Sequence, residues 1–178
     1  MKEDKEKKQK EKLEAEIARL KIMQEFEEKY KAFTYIAGVD EVGRGPLAGP
    51  VVASCVILDR NIQILYINDS KKLSEKKRES LYDEICEKSV AYGIGIVSPG
   101  RIDEINILNA TYEAMKAAIS SLDIKPDILL NDAVHIPDLD IKQVSIIKGD
   151  AKSISIAAAS IVAKVSRDRL MVEYDTIY

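Results

Sequence analysis

The side chains best suited to chemistry in this chain are acidic, and two of them stand side by side. Asp40 and Glu41 follow the short apolar run Tyr35–Val39, and the turn Gly43-Arg44-Gly45-Pro46 comes directly after them. A strand would carry the carboxylates to its end. Glycines flanking an arginine would let backbone N–H groups come close to a ligand. Carboxylates beside such a turn point to metal ions facing a phosphorylated substrate. The plainer alternative is a strand ending in a polar hairpin, but a second cluster, Leu47-Ala48-Gly49-Pro50, spends more turn residues than a hairpin needs.

Two later acids repeat the pattern. Asp132 follows the apolar strand Asp127–Leu130, and Asp150 follows Lys142–Ile147 in the sequence Lys148-Gly149-Asp150. If these strands run parallel to the first, all the acids lie on one sheet edge, where ligands of open α/β sheets bind. Four carboxylates there would repel one another unless metal sat between them. Hard oxygen ligands suit Mg²⁺ or Mn²⁺ rather than zinc. With two ions about 3.5–4 Å apart, one would activate water and the other would stabilise the leaving oxygen. Adjacent residues of a regular strand point to opposite faces, so Asp40 and Glu41 can both face the metals only if the backbone twists or bulges there or Glu41 reaches round. Asp40 is the firmer ligand of the two.

Other chemistries find less support. The single histidine, His135, falls in a loop with no nucleophile motif near it, which sets serine–histidine and cysteine–histidine hydrolysis aside. Cys55 and Cys86 form no C-x-x-C pattern and read as small core residues. The net charge of −3 is not the basic signature of many nucleic-acid binders, although carboxylates gathered at a metal site would mask one. No apolar run approaches the ~20 residues of a membrane span and the N-terminus is charged, so a cytoplasmic protein without membrane contact is expected.

The elements that must position these groups follow from the hydrophobic pattern. Residues 1–33 hold ten lysines or arginines against nine acids, with no glycine or proline. Leu13, Ile17, Leu20, Met23, Phe26, Tyr30 and Phe33 recur every three or four residues, the stripe of an amphipathic helix whose first ten residues should fray. A helix packed on the following domain is favoured over an arm for substrate. From residue 34 to 178 a single catalytic domain is expected. Val51–Leu58 reads as a strand antiparallel to Tyr35–Val39, and Ile62–Ile67 as a third extended run. Ser74 caps a helix reaching about Ser89, Val90–Val97 is another strand despite two glycines, and Ser98-Pro99-Gly100 is a turn. Helices follow at Ile105–Leu122 and Ser155–Tyr178. The whole is an α/β architecture, a mixed sheet flanked by helices with an N-terminal amphipathic helix.

At this point the motifs resemble a known family. Asp-Glu-Val-Gly-Arg-Gly-Pro-Leu-Ala-Gly-Pro-Val-Val from Asp40, Asp69–Ser74 (DSKKLS), Ile105–Met115 and Lys148–Arg169 are similar, in this order, to the motifs of bacterial ribonuclease HII. The resemblance implies a ribonuclease H-like fold with a mixed five-stranded sheet, and the catalytic, metal-binding set Asp40, Glu41, Asp132 and Asp150. It implies hydrolysis 5′ of a ribonucleotide in RNA/DNA hybrids or in duplex DNA with single embedded ribonucleotides, leaving 3′-OH and 5′-phosphate. Gly43, Arg44 and Gly45 would sense the 2′-OH, Ser70, Lys71 and Lys72 would contact phosphate, and Asn106 and Asn109 would touch the DNA strand. Asn109 departs from the longer side chain usual there. Lys148, Lys152, Lys164 and Arg167 add positive charge near Asp150 but read as solvated. The family continues with a Lys-Gly-Tyr-Gly segment, and neither Tyr174 nor Tyr178 takes the role of its tyrosine. A monomer is expected. A truncated, hybrid-binding module with little or no activity is the alternative from another class; a phosphotransferase of the same fold lacks a second glycine-rich nucleotide loop.

Overall fold

The computed structural model describes residues 2–46 and 48–176. Leu47 and Tyr178, named above, lie outside them. Strands β1 (Ile36–Val42) and β2 (Val51–Leu58) are rich in β-branched residues and form the expected antiparallel hairpin, in register from Ala37↔Ile57 to Val42↔Val52. β2 pairs antiparallel with β3 (Ser89–Val97). On the other side β1 pairs parallel with β4 (Ile128–Asp132), and β4 with β5 (Lys142–Ile146). The sheet order is β3-β2-β1-β4-β5.

Helices cover both faces, and the period of two in the strands divides the core between them. Val56 joins Ala157, Ala158, Ile161 and Val162 of the last helix, α5 (Ile154–Asp175), together with Leu81 and Ile85 of α3 (Glu75–Lys88). Its neighbours Cys55 and Ile57 face the other way, onto Ala114, Met115 and Ala118 of α4 (Pro99–Ser120). Gly38 of β1 lets α5 rest on the strand, since a Cβ there would stand 2.1 Å from the carbonyl carbon of Ser155. Gly93 and Gly95 seat α4 on β3 in the same manner, which is why this strand carries the two glycines.

Helix starts are set by side-chain caps. Ser74 accepts from Lys77 N at 3.4 Å, as expected. Ser98 accepts from Arg101 N at 3.3 Å with Pro99 in the first turn, so Ser98-Pro99-Gly100 opens α4 rather than forming a separate turn. α4 therefore begins earlier than its apolar stripe suggests. It is interrupted at Asn106, where φ is 66° and ψ 164°.

Ile62–Ile67 is not a strand. Ile64 and Ile67 are buried in the α5 core while Tyr66 between them takes a left-handed φ of 68°. The N-terminal segment holds this loop: Tyr66 N donates to Glu16 Oε1 at 2.7 Å, and Arg19 Nη2 donates to the Ile67 carbonyl at 2.6 Å. That segment is two helices, α1 (Lys2–Met23) and α2 (Glu25–Lys29), broken at Gln24. α1 is helical from Lys2 although residues 4–15 are exposed, Leu13 among them. Leu20 and Met23 enter the α5 core, and Phe26, Tyr30 and Phe33 pack against Ile36, Leu130 and Ile156 or their neighbours. Burying Leu20 and Met23 contributes about 1.5–3 kcal/mol each, so the extension is docked, as the apolar stripe suggested. Glu27 of α2 accepts from Ser153 Oγ at 2.6 Å and Ser155 N at 3.1 Å, capping α5 from outside. Among the described residues no helix is long and apolar enough to cross a membrane.

Candidate active site

Because β1, β4 and β5 are parallel, their C-terminal ends share one edge of the sheet, and the four acids gather there. Asp40 and Glu41 are not beyond the end of β1, as expected, but inside it, opposite Ser54 and Ala53 of β2. The hairpin partner continues the pairing to Val42. No bulge relieves the alternation. Asp40 lies on the α5 face, like Gly38, and Glu41 on the other.

Asp40 is 6 % exposed and accepts from Glu41 N at 2.8 Å. Burial pushes its carboxyl well above the usual range, with the charges of Glu41 and Asp132 adding to the shift. Glu41 is also pushed up by burial, against the pull of Arg44, whose Nη1 lies 3.2 Å from Glu41 Oε1. Glu41 Oε2 is buried with no partner. Asp132 ends β4, and its Oδ1 accepts from Gly149 N at 2.7 Å. That bond fixes the 3₁₀ turn Gly149–Ala151, which carries Asp150. Burial raises the Asp150 carboxyl, and Asp69 and Asp132 raise it further while Lys71 opposes them.

Asp69 is thus a fifth acid of this edge that the search for strand ends missed. It opens the DSKK motif, caps the 3₁₀ turn Ser70–Lys72 by accepting from Lys71 N at 2.9 Å, and lies 3.9 Å from Lys72 Nζ. Among the described residues, no three acid, histidine or cysteine groups converge as a ready metal cage. The donor set nevertheless fits a hard divalent ion. It consists of carboxylate oxygens that repel one another, and one of them, Glu41 Oε2, is buried without a donor.

The glycine turn divides by role. Gly43 has φ +105°, and a Cβ there would meet the Pro50 carbonyl at 2.5 Å, so the fold itself requires glycine. Gly45 has nothing within 4 Å of a Cβ position, leaving open space beside exposed Arg44. Arg167 supports the turn from below: it is 6 % exposed, with Nε donating to the Pro50 carbonyl and Nη2 to that of Ala48, both at 3.0 Å. It is therefore not the solvated charge expected. Lys164 is paired with Asp168 at 2.6 Å.

Of the remaining candidates, Lys71 and Lys72 are exposed beside the acids, whereas the Ser70 hydroxyl is turned inward, 2.9 Å from Ser160 Oγ. Asn106 and Asn109 are exposed on α4, where Asn106 Oδ1 accepts from Leu108 N and Asn109 N and restarts the helix. A hollow of about 80 Å³ between Ile102, Asp103 and Ile107 of α4 and Gly43, Pro46 and Gly49 separates them from the glycine turn. Left-handed non-glycine residues flank these motifs: Tyr66, Asn106, Ala133 after Asp132, and Lys148 before Gly149. A cavity of about 240 Å³ lined by Glu27, Ile36, Leu58 and Arg60 lies at the start of β1 and includes none of Asp40, Glu41, Asp69, Asp132 and Asp150.

A mixed sheet with helices on both faces and acids on the edge shared by its parallel strands defines a ribonuclease H-like protein. Comparison with known proteins narrows the class. Residues 37–177 match the ribonuclease HII family. The chain is 68 % identical over 168 residues to the ribonuclease HII of Lachnoclostridium phytofermentans, covering 94 % of this chain and 66 % of that one. With that of Caldanaerobacter subterraneus subsp. tengcongensis it shares 59 % over 168 residues, 93 % of this chain and 70 % of the other. Among solved structures, the ribonuclease H2 from Pyrococcus horikoshii superposes with a TM-score of 0.68 at 31 % identity, covering 80 % of this chain and 76 % of that one. The chain belongs to the ribonuclease HII family, and it spans about two-thirds of the length of the curated relatives it matches.

Proposed function

We propose that this chain is a divalent-metal-dependent endonuclease that hydrolyses the RNA strand of RNA/DNA hybrids and single ribonucleotides embedded in duplex DNA. The observation that carries the reading is the carboxylate set on one sheet edge, buried at Asp40 and half-buried at Glu41, Asp132 and Asp150, with Glu41 Oε2 lacking any donor. Asp40, Glu41, Asp132 and Asp150 would hold Mn²⁺ or Mg²⁺. Bound there, the ions would supply Lewis-acid stabilisation of the phosphoryl charge and of the leaving oxygen.

The chain's own groups account for the rest. Open space at Gly45 admits a ribose, whose 2′-OH can exchange hydrogen bonds with the backbone of the turn. Arg44, now paired with Glu41, can turn to the scissile phosphate and free that carboxylate. Lys71 and Lys72 face the duplex backbone, and Asn106 and Asn109 on α4 face the DNA strand. In the reaction the oxygen of water bonds to phosphorus as the bond to the 3′-oxygen of the preceding nucleotide breaks. The proton passes to that oxygen, leaving 3′-OH and 5′-phosphate on the 5′ side of the ribonucleotide.

The test is incubation of a duplex bearing one ribonucleotide with the chain and Mn²⁺, Mg²⁺ or EDTA. A cut 5′ of the ribonucleotide that depends on metal is expected. Binding of the duplex without cutting in either metal would replace this reading with a hybrid-binding module.

A further inference from the structure

Glu16 and Arg19 stand one turn apart on α1 and together grip a loop about fifty residues further along the chain. Glu16 is 9 % exposed and forms a forked pair with Arg19, whose Nε lies 2.9 Å from Oε2 and whose Nη2 lies 2.7 Å from Oε1. The same Oε1 accepts from Tyr66 N, and the same Nη2 donates to the Ile67 carbonyl. Two charge-assisted bonds, the stronger kind, thus fall on successive residues of the loop. Tyr66 is left-handed, with φ 68°, a conformation that a bulky residue keeps only where its surroundings impose it. Its ring is 46 % exposed, with Lys77 Nζ 4.9 Å from the ring centre, so burial of the ring is not what holds the turn.

Two residues beyond Ile67 the chain enters the 3₁₀ turn Ser70–Lys72, capped by Asp69. The far side of that turn is already tied down. Ser70 Oγ lies 2.9 Å from Ser160 Oγ of α5, and Arg78 Nη1 of α3 donates to the carbonyls of Ser70 at 3.2 Å and Leu73 at 2.6 Å. Lys71 and Lys72 are therefore slung between α3 and α5 on one side and α1 on the other. A helix that merely covered the core would need Leu20 and Met23, not a buried ion pair aimed at loop backbone. We propose that Glu16 and Arg19 are positioning residues through which the N-terminal extension sets the grip on the duplex. They hold the left-handed turn at Tyr66, and with it the place of Lys71 and Lys72 against phosphate. The inference rests on the reading of these two lysines as phosphate contacts given above.

The test compares wild-type protein with Glu16→Ala, with the pair Lys71→Ala and Lys72→Ala, and with all three changes together. Steady-state kinetics on a duplex with one ribonucleotide gives KM and kcat. Fluorescence anisotropy with an all-DNA duplex across a salt titration measures the phosphate grip without cleavage. Leu20 and Met23 remain to dock α1 in Glu16→Ala, and Glu16→Gln, which keeps an acceptor for Tyr66 N, decides by the same criteria should the alanine variant not fold. For Glu16→Ala, KM should rise about tenfold with kcat within about twofold, and the salt slope should become shallower by about one, the share of one phosphate contact. Added to the lysine pair, Glu16→Ala should change KM by less than about twofold, because the groups it acts through are already gone. A Glu16→Ala protein that melts lower yet keeps wild-type KM and salt slope, or effects that multiply in the combined variant, would overturn the inference while the nuclease reading stands. Wild-type protein that binds the duplexes and cuts neither would overturn the nuclease reading alone, since affinity and salt slope still decide the role of Glu16.

Discussion

Replacing Gly38 by alanine should loosen the active site from behind without touching any acid. A Cβ at this position would stand 2.1 Å from the carbonyl carbon of Ser155, 2.2 Å from its oxygen and 2.4 Å from Ile156 N. Ordinary contact begins near 3.4 Å, so strand and helix would have to part by about 1 Å. All three atoms are backbone in the first turn of α5, and no side-chain rotation can relieve them. The shift would stretch the Ser54–Ala159 bond, now 2.7 Å, towards the limit of useful length. Overpacking costs about 1–3 kcal/mol, and the weakened buried hydrogen bond adds about 1 kcal/mol. At about 2–4 °C per kcal/mol for a chain of this size, the melting temperature should fall by about 5–15 °C. Cleavage should fall about a hundredfold, because a 1 Å displacement of catalytic groups has that effect. Calorimetry and a cleavage assay on Gly38→Ala make the test, with Gly45→Ala as the control for calorimetry alone. The control has open space for its Cβ and should melt within about 0.5 kcal/mol of wild type. A Gly38→Ala protein with wild-type melting and turnover would refute the close approach of α5 to β1.

Three further outcomes are expected. Arg167→Ala removes two charge-assisted bonds to the Ala48 and Pro50 carbonyls, at about 1.5–3 kcal/mol each; amides of the 43–51 turn should exchange with solvent faster, and unchanged exchange would deny the buttress. Asp40→Asn should abolish cleavage and, by relieving repulsion from Glu41 and Asp132, raise the melting temperature in EDTA; near-wild-type turnover would rule out Asp40 as a ligand. Glu27 is raised above 4.5 by burial, so its folded form holds a proton more tightly than its unfolded form. Its contribution to stability is present below pH 4.5 and lost as pH rises through the raised value. Glu27→Gln still accepts from Ser153 and Ser155, and its urea-unfolding free energy should decline less from pH 4.5 to 7 than wild type; equal slopes would contradict the assignment.

What could be read from the sequence was what local pattern decides. The β1–β2 hairpin, the cap at Ser74 and the placing of Asp132 and Asp150 at or just after strand ends follow from apolar runs and turn residues within a few positions of each other, whereas the parallel pairing that brings them to one edge does not. The misreadings came from partners distant in sequence. Ile62–Ile67 has the composition of a strand, but Glu16 and Arg19, some fifty residues earlier, bind Tyr66 and Ile67 and turn the chain there. Arg167 looks like any surface cation on a helix until α5 is found buried nearly all round with the glycine turn folded over it. Asp69 lay in view as the first residue of the DSKK motif, yet only the fold brings it to Asp150. The apolar run places the end of β1 three residues early, at Val39 rather than Val42, because β2 determines where pairing stops.

The central claim is that Asp40, Glu41, Asp132 and Asp150 together form a divalent-metal centre at the scissile phosphate. Anomalous diffraction from crystals grown with Mn²⁺ and a duplex bearing one ribonucleotide tests it most directly. The account predicts manganese peaks bounded by these four carboxylates, with Glu41 turned away from Arg44 to meet them. Manganese bound elsewhere, or a duplex seated with no manganese among the four acids, would contradict it.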